Sequence, residues 1–432
     1  MLPAAVGVAA LGSLLAWLVA THPGFVPTAC AGAEAYLPAE VVGQDLAVRQ
    51  LADAVCTHLA ARPAGRAPGA GRPLVISAHG PPGVGKTLSH QLLARALYNA
   101  APSERLQCPG KDCRGYKVFY GMDYLVSERA PRLSALRDAL LAHLRAFPEA
   151  LLVVEEYDKL DCDARGLWRQ LLQHPERANV TWDRAVVVLE SNLGMSELEQ
   201  LLTTTGRNNV TAEQAERSLR ELVFSHWQRS PCESYDDTLK FTSLVDFWLP
   251  FFPLERPHVE ELTGRELARR GRDLAAAKGL ALAWDAGVVA FLADKVEFVG
   301  PYPMEGAKGV ESAVTRHVAR LLRHAPPQPR PPAKQGDARQ RGRGGGGGSG
   351  GGGSSGGSGG GAAAPAPAAA LVLAVGPDGR ELTAAVRAMG EREVEEWGRG
   401  QQHAGGHAPH GQQQQQHQQQ RASAGGHALA PS

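Results

Sequence analysis

Four short apolar runs punctuate the chain: Leu74–Ser77, Tyr116–Tyr120, Ala150–Val154 and Ala185–Leu189. Each is strand-length and, apart from the second, almost free of polar residues, as a buried strand reads. Helical patterns separate them. Asp45 to about Ala60 is one, and Leu88, Leu92, Leu93 and Leu97 recur at helix spacing in the next. Leu133 to Phe147 is a third, amphipathic one. This alternation predicts an α/β domain over about residues 37–255, with its core beginning near Leu37. Three further helical patterns, around 257–271, 284–296 and 308–323, predict a small helical lid over 256–325.

The first strand runs into Gly80-Pro81-Pro82-Gly83-Val84-Gly85-Lys86-Thr87, which fits G-x-x-x-x-G-K-[ST]. Strand, glycine-rich loop and helix in that order are the context of a P-loop. The glycines let backbone N–H groups turn toward phosphate oxygens, and the helix N-terminus adds partial positive charge. Lys86 is the candidate ligand of the β- and γ-phosphates, and the Thr87 hydroxyl of Mg²⁺. The third strand ends in Glu155-Glu156. A strand that delivers two carboxylates to the edge where α/β folds bind ligands suits a Walker B site. Glu155 would hold the Mg²⁺ shell, and Glu156 would orient and deprotonate water. Asp is commoner at the first position, and Glu155 is one methylene longer. The fourth strand ends in Glu190-Ser191-Asn192, where Asn192 fits a sensor-1 residue between the γ-phosphate and that water. Thr211 with Gln214 forms a capping-box pattern.

The net charge of +1 gives no case for nucleic acid, and none is expected as a partner. Leu2 to Ala20 is uncharged and apolar, and Ala29-Cys30-Ala31 is an A-x-A site. Residues 1–33 therefore read as a secretory signal peptide or, without the usual positive n-region, as an uncleaved membrane anchor. A plastid transit peptide is a third reading. Cys108 and Cys113 could close a small disulfide or remain buried thiols. Asn179-Val180-Thr181 and Asn209-Val210-Thr211 are acceptor sequons. Beyond Pro326 the composition changes. A Pro/Gly/Ser-rich linker over 326–369 gives way to residues 370–400, a hairpin-like signal around Gly376-Pro377-Asp378-Gly379 and a helix, placed to return and complete the lid. Residues 401–432, rich in Gln, His and Gly, read as disordered.

In this order, VVGQDLA, GPPGVGKT, VVEEYDKLD, LESNLG, FWLPFFPLERPHVEEL and GAKGVES resemble the torsins, AAA+ ATPases of the Clp class. The resemblance covers about residues 37–325. It implies a five-stranded parallel sheet of order 5-1-4-3-2, and ATP with Mg²⁺ bound between the sheet and the lid. It implies an adenine-facing loop at Val42 and Gly43, and a basic sensor-2 residue at Lys308. It further implies protein substrates, an ER-lumen or nuclear-envelope location, homo- or hetero-oligomers, and activation by a membrane-anchored luminal partner that supplies an arginine finger. Thr87 stands where torsins typically carry Asn, and Ala307 where their sensor-2 motif has Cys, so a thiol switch is not implied there. No Arg lies between Arg229 and Arg256, where Clp-class rings carry their arginine finger. Two other classes fit: a Clp-type unfoldase in another compartment, and a nucleotide-binding scaffold that barely hydrolyses ATP.

Overall fold

The computed structural model describes residues 24–61, 71–99, 108–111, 113–124, 129–174, 180, 182–229, 234–328, 367, 369–390 and 392–394. Most of the leader segment, the Asn179 sequon, the Gly/Ser run and the 401–432 tail lie outside the described residues.

Five strands form one sheet: β1 (Leu74–His79), β2 (Tyr116–Tyr120), β3 (Leu151–Glu155), β4 (Val186–Ser191) and β5 (Phe247–Pro250). Their order is β2-β3-β4-β1-β5, and every neighbouring pair is parallel. Read from the other edge, this is the order 5-1-4-3-2 that the resemblance implies. All six residues of β1 are buried, as are the first four of β3 and of β4. Helices cover both faces, so these strands carry continuous apolar runs rather than alternation.

Alternate side chains enter two different cores. Val75, Leu152, Val154, Val187 and Leu189 face a core containing Trp168, Trp182, Trp227 and Trp248. Leu74, Ile76, Leu151, Val153, Val186 and Val188 face a second one, covered by α1 (Ala29–Glu40), α2 (Asp45–Ala60) and α3 (Lys86–Tyr98).

The fold begins earlier than predicted, which corrects the start near Leu37. The Phe25 N–H donates to the Glu149 carboxylate at 2.6 Å, and the Val26 N–H to the Leu97 carbonyl at 2.8 Å. Ala29, Ala33 and Leu37 lie along one buried face of α1. Small residues let this helix approach α3 closely, with Gly32 set against Ala96. The A-x-A site at 29–31 is thus the first turn of a packed helix, and cleavage there would strip Phe25 and Ala29 from the core.

Elsewhere the expected pairings form. Cys108 and Cys113 are disulfide-bonded, and so is Cys162, while Cys30 and Cys56 are free. Thr211 and Gln214 close a complete capping box. The Asn209 side-chain amide donates to the Thr205 carbonyl at 3.1 Å.

The chain divides into two compact units. One comprises residues up to Leu262 with Val296–Gly309, so the predicted sensor-2 turn belongs to it. The other comprises Thr263–Lys295 and the chain from Val310 onward. In that second unit β6 (Leu280–Ala283) pairs in parallel with Ala369–Val372 of β7 (Ala369–Val375). Strand β8 (Leu382–Ala388) returns antiparallel along β7 through the turn at 376–379. Lys278 Nζ donates to the carbonyls of Leu322, Arg323 and Ala325, satisfying acceptors at the end of a helix that has no further turn to use them. Among the described residues no helix is long and apolar enough to cross a membrane.

Candidate nucleotide site

The parallel sheet brings the carboxyl ends of β1, β3 and β4 side by side, since β1 pairs with β4 and β4 with β3. Residues over a hundred positions apart in sequence therefore share one edge. From β1 come Gly80 to Thr87. From β3 come Glu155 and Glu156, and from β4 come Glu190, Ser191 and Asn192.

Two glycines in the loop are needed where they stand. Gly80 has φ +147°, and a Cβ there would sit 2.0 Å from the Phe251 carbonyl oxygen. Gly83 has φ +74°, and its Cβ would meet the Glu305 carbonyl at 2.4 Å. The Gly83 carbonyl in turn accepts from the Ala307 N–H at 2.8 Å, which sets the turn carrying Lys308 beside the loop. Lys308 is exposed.

Lys86 is 5% exposed, and its ammonium donates to the Gly80 and Pro81 carbonyls, both at 2.8 Å, and to Asn192 Oδ1 at 3.0 Å. Burial lowers its pKa to about 8. Glu190, Asp158 and Glu155 pull the other way, and Lys308 adds to the lowering. A buried cation held only by neutral oxygens is a poised anion ligand, because a phosphate offers it a charge that the carbonyls do not. The glycine cradle, this lysine and the helix start that follows fit a nucleotide triphosphate.

The metal side of the site differs from the sequence reading in detail. Thr87 Oγ1 donates to Glu190, at 3.0 and 3.3 Å from its two carboxylate oxygens. His90, one helical turn beyond Lys86, lies with Nε2 3.2 Å from Glu155 Oε1 and 3.3 Å from Glu190 Oε2. Its Nδ1 is 2.8 Å from the Tyr116 hydroxyl. Burial works against its cation, but the bonds to Glu155 and Glu190 outweigh burial and raise its pKa. Glu190 and His90 are thus members of the site that sequence reasoning missed. The available signal was phase: His90 is three residues after Thr87, on the same helix face.

Glu156 has φ +53°, the only positive value at a non-glycine among the described residues. A left-handed conformation at such a residue costs about 1–3 kcal/mol and clusters at functional positions. It opens a short 3₁₀ turn over Tyr157–Lys159. Asn192 receives Lys86 through its side chain, and its own N–H donates to Asp158 Oδ1 at 3.4 Å.

Val42 is buried, and its neighbour Val41 lies against Gly85, which brings this segment to the edge of the P-loop. The segment is held from behind. Gln44 exchanges two 2.8 Å hydrogen bonds with the Phe252 backbone, and Arg207 donates to the Gly43 carbonyl at 2.9 Å.

The chain is 25% identical over 253 residues to a torsin-like protein of Drosophila melanogaster, covering 56% of this chain and 68% of that one. It is 26% identical over 238 residues to Torsin-3A of Rattus norvegicus, covering 53% and 55% of the two chains. The chain is thus similar to torsin-like proteins. The chaperone protein ClpB of Chlamydia pneumoniae is 25% identical over 299 residues, covering 68% of this chain but 32% of ClpB. No family model matches the chain. Nucleotide and Mg²⁺ use, protein substrates and oligomerisation are general features of the AAA+ group. In this chain Glu155, Glu190 and Asn192 stand at neighbouring strand ends, with His90 beside the two carboxylates.

Proposed function

We propose that this chain binds ATP with Mg²⁺ and hydrolyses it to remodel proteins or membrane-associated complexes in the ER lumen or nuclear envelope. The observation that carries the reading is one juxtaposition. Asn192 Oδ1 is 3.0 Å from Lys86 Nζ, at the edge where Glu155 and Glu156 also end.

Lys86 would trade the Gly80 and Pro81 carbonyls for phosphate oxygens, and the backbone of residues 80–87 would cradle them. Thr87 and Glu155 would hold Mg²⁺, which when bound neutralises charge on the transferring phosphoryl group. Glu156 would take the proton of the attacking water while Asn192 orients it. Lys308 would add positive charge near the γ-phosphate, and Val42 with Gly43 would border the adenine.

No arginine occupies residues 230–255. An arginine finger contributes about 10³–10⁵ in rate. Hydrolysis by the chain alone is therefore weak, and a membrane-anchored luminal partner supplies the arginine within a hetero-oligomer. Two features support the lumen: the apolar leader, and disulfide bonding at Cys108, Cys113 and Cys162, which reducing compartments disfavour. The test is turnover of the full chain before and after adding a luminal partner domain that carries an exposed arginine. A rise of at least a hundredfold, lost when that arginine becomes alanine, supports the reading. Brisk turnover without any partner contradicts it.

A further inference from the structure

His90, Glu155 and Glu190 converge from a helix and two strand ends, and one ligand atom from each lies within 4.8 Å of the others. His90 is 2% exposed and both carboxylates are partly buried. The Nε2–oxygen separations are 3.2 and 3.3 Å. A tetrahedral ion with ligand bonds of about 2.0–2.1 Å requires edges of roughly 3.3 Å, so the imidazole edges already have the spacing of a zinc site. Tyr116 fixes the ring from the other side at 2.8 Å. When Nδ1–H donates to that hydroxyl, the Nε2 lone pair points at the two carboxylates. Such an outer partner is what orients metal-binding histidines. The nearest lysine does not neutralise the cluster by contact. Lys86 directs its three protons to Gly80, Pro81 and Asn192.

We propose that His90, Glu155 and Glu190 form a site for a first-row transition ion of the Zn²⁺ type, occupied without nucleotide. Imidazole with carboxylates favours such ions over Mg²⁺, which prefers an all-oxygen octahedral shell. Water completes the coordination beside Thr87, whose hydroxyl already reaches both Glu190 oxygens. Because Glu155 is shared, a bound Zn²⁺ competes with the Mg²⁺ of the nucleotide site. That competition rests on the nucleotide reading; the ion site itself does not.

The test uses the full chain, stripped with chelator and free of nucleotide, titrated with Co²⁺ and then with Zn²⁺ in competition. Tetrahedral Co²⁺ has intense visible absorption, and weakly held octahedral Co²⁺ does not. The tail histidines His403, His407, His410, His417 and His427 are present in every variant and cancel in the difference. The expected result is one tetrahedral Co²⁺ per chain, displaced by Zn²⁺, with His90→Gln and Glu190→Gln each weakening it at least tenfold. Tyr116→Phe keeps the ring and the packing and should weaken it by a smaller factor, which guards against a variant that simply misfolds. Identical spectra and affinities in the parent and all three variants would overturn the proposal. Binding of a fluorescent ATP analogue with Mg²⁺ to the same proteins separates the two readings. Loss of the Co²⁺ difference with nucleotide binding intact removes only the ion site; a Co²⁺ difference without nucleotide binding removes only the nucleotide reading.

Discussion

Two buried histidines flank the P-loop, and they have opposite surroundings. His79 closes β1 behind the loop and is fully buried. Its Nε2 meets only hydroxyls, Ser77 at 2.7 Å and Tyr157 at 3.2 Å, and its ring stacks on Trp248 with centroids 5.5 Å apart. Burial first, and then the charge of Lys86, lower its pKa to about 3. His90, in front of the loop, meets two carboxylates and shifts the other way. Neutral hydroxyls do not replace the hydration that an imidazolium loses, whereas carboxylates do. The same residue type is therefore held neutral behind the loop and favours its cation in front of it.

The largest effect should come from the front. Lys86→Ala removes the only loop cation and leaves bound phosphate charge unpaired. Losses at buried charged pairs run to about 2–5 kcal/mol, or roughly 30- to several-thousand-fold in affinity. Calorimetric titration with Mg-ATP should show at least a hundredfold weakening, with little change in melting temperature. A melting loss without an affinity loss would mean that Lys86 is structural.

Behind the loop, the expected signature is in stability and its pH dependence. The folded pKa of His79 lies below its unfolded value of about 6.5, so the unfolded chain takes up the extra proton. The stability from keeping His79 neutral is complete above about pH 6.5. It falls by about 1.4 kcal/mol per pH unit as the pH drops toward about 3. His79→Gln should flatten that slope between pH 6.5 and 4 in denaturant titrations, with Mg-ATP affinity at pH 7.5 unchanged within a fewfold. An unchanged slope would show that His79 is not held neutral.

The smallest effect concerns the hydroxyl that supports this neutral form. Tyr157 is buried, 3.1 Å from Ser77 Oγ and edge-on to Trp227. Tyr157→Phe keeps the ring and removes the hydrogen bonds, and should cost about 1 kcal/mol in urea unfolding. A cost of several kcal/mol would mean that the hydroxyl anchors more of this core than its bonds to Ser77 and His79 account for.

The frame of the site was legible in sequence because its parts are local. A buried strand followed at once by GPPGVGKT, by Glu155-Glu156 or by Glu190-Ser191-Asn192 places each group at a sheet edge without knowledge of the neighbouring strand. What stayed hidden depends on register and helix phase. Glu190 reads as the last residue of a strand until the pairing of β1 with β4 sets it opposite Ala78, and until Thr87 is found to reach it. His90 reads as one polar residue in a leucine-rich helix. Helix α1 was hidden for a different reason. Alanines packed at close range carry little hydrophobic contrast, so residues 29–40 blend into the apolar leader before them. The hairpin signal near Gly376–Gly379 points back toward the lid, but its partner β6 lies across the whole Pro/Gly/Ser-rich stretch, a non-local pairing that no short-range pattern encodes.

We propose above that three strand ends assemble a hydrolytic nucleotide site, with Glu156 as the base. The most direct test is single-turnover hydrolysis of bound ATP by the full chain beside Glu156→Gln, with affinity measured on the same samples. Equal Mg-ATP affinity is expected in both, with slow hydrolysis in the parent and none in the variant. Equal hydrolysis in both, or no Mg-ATP binding by the parent, would contradict it.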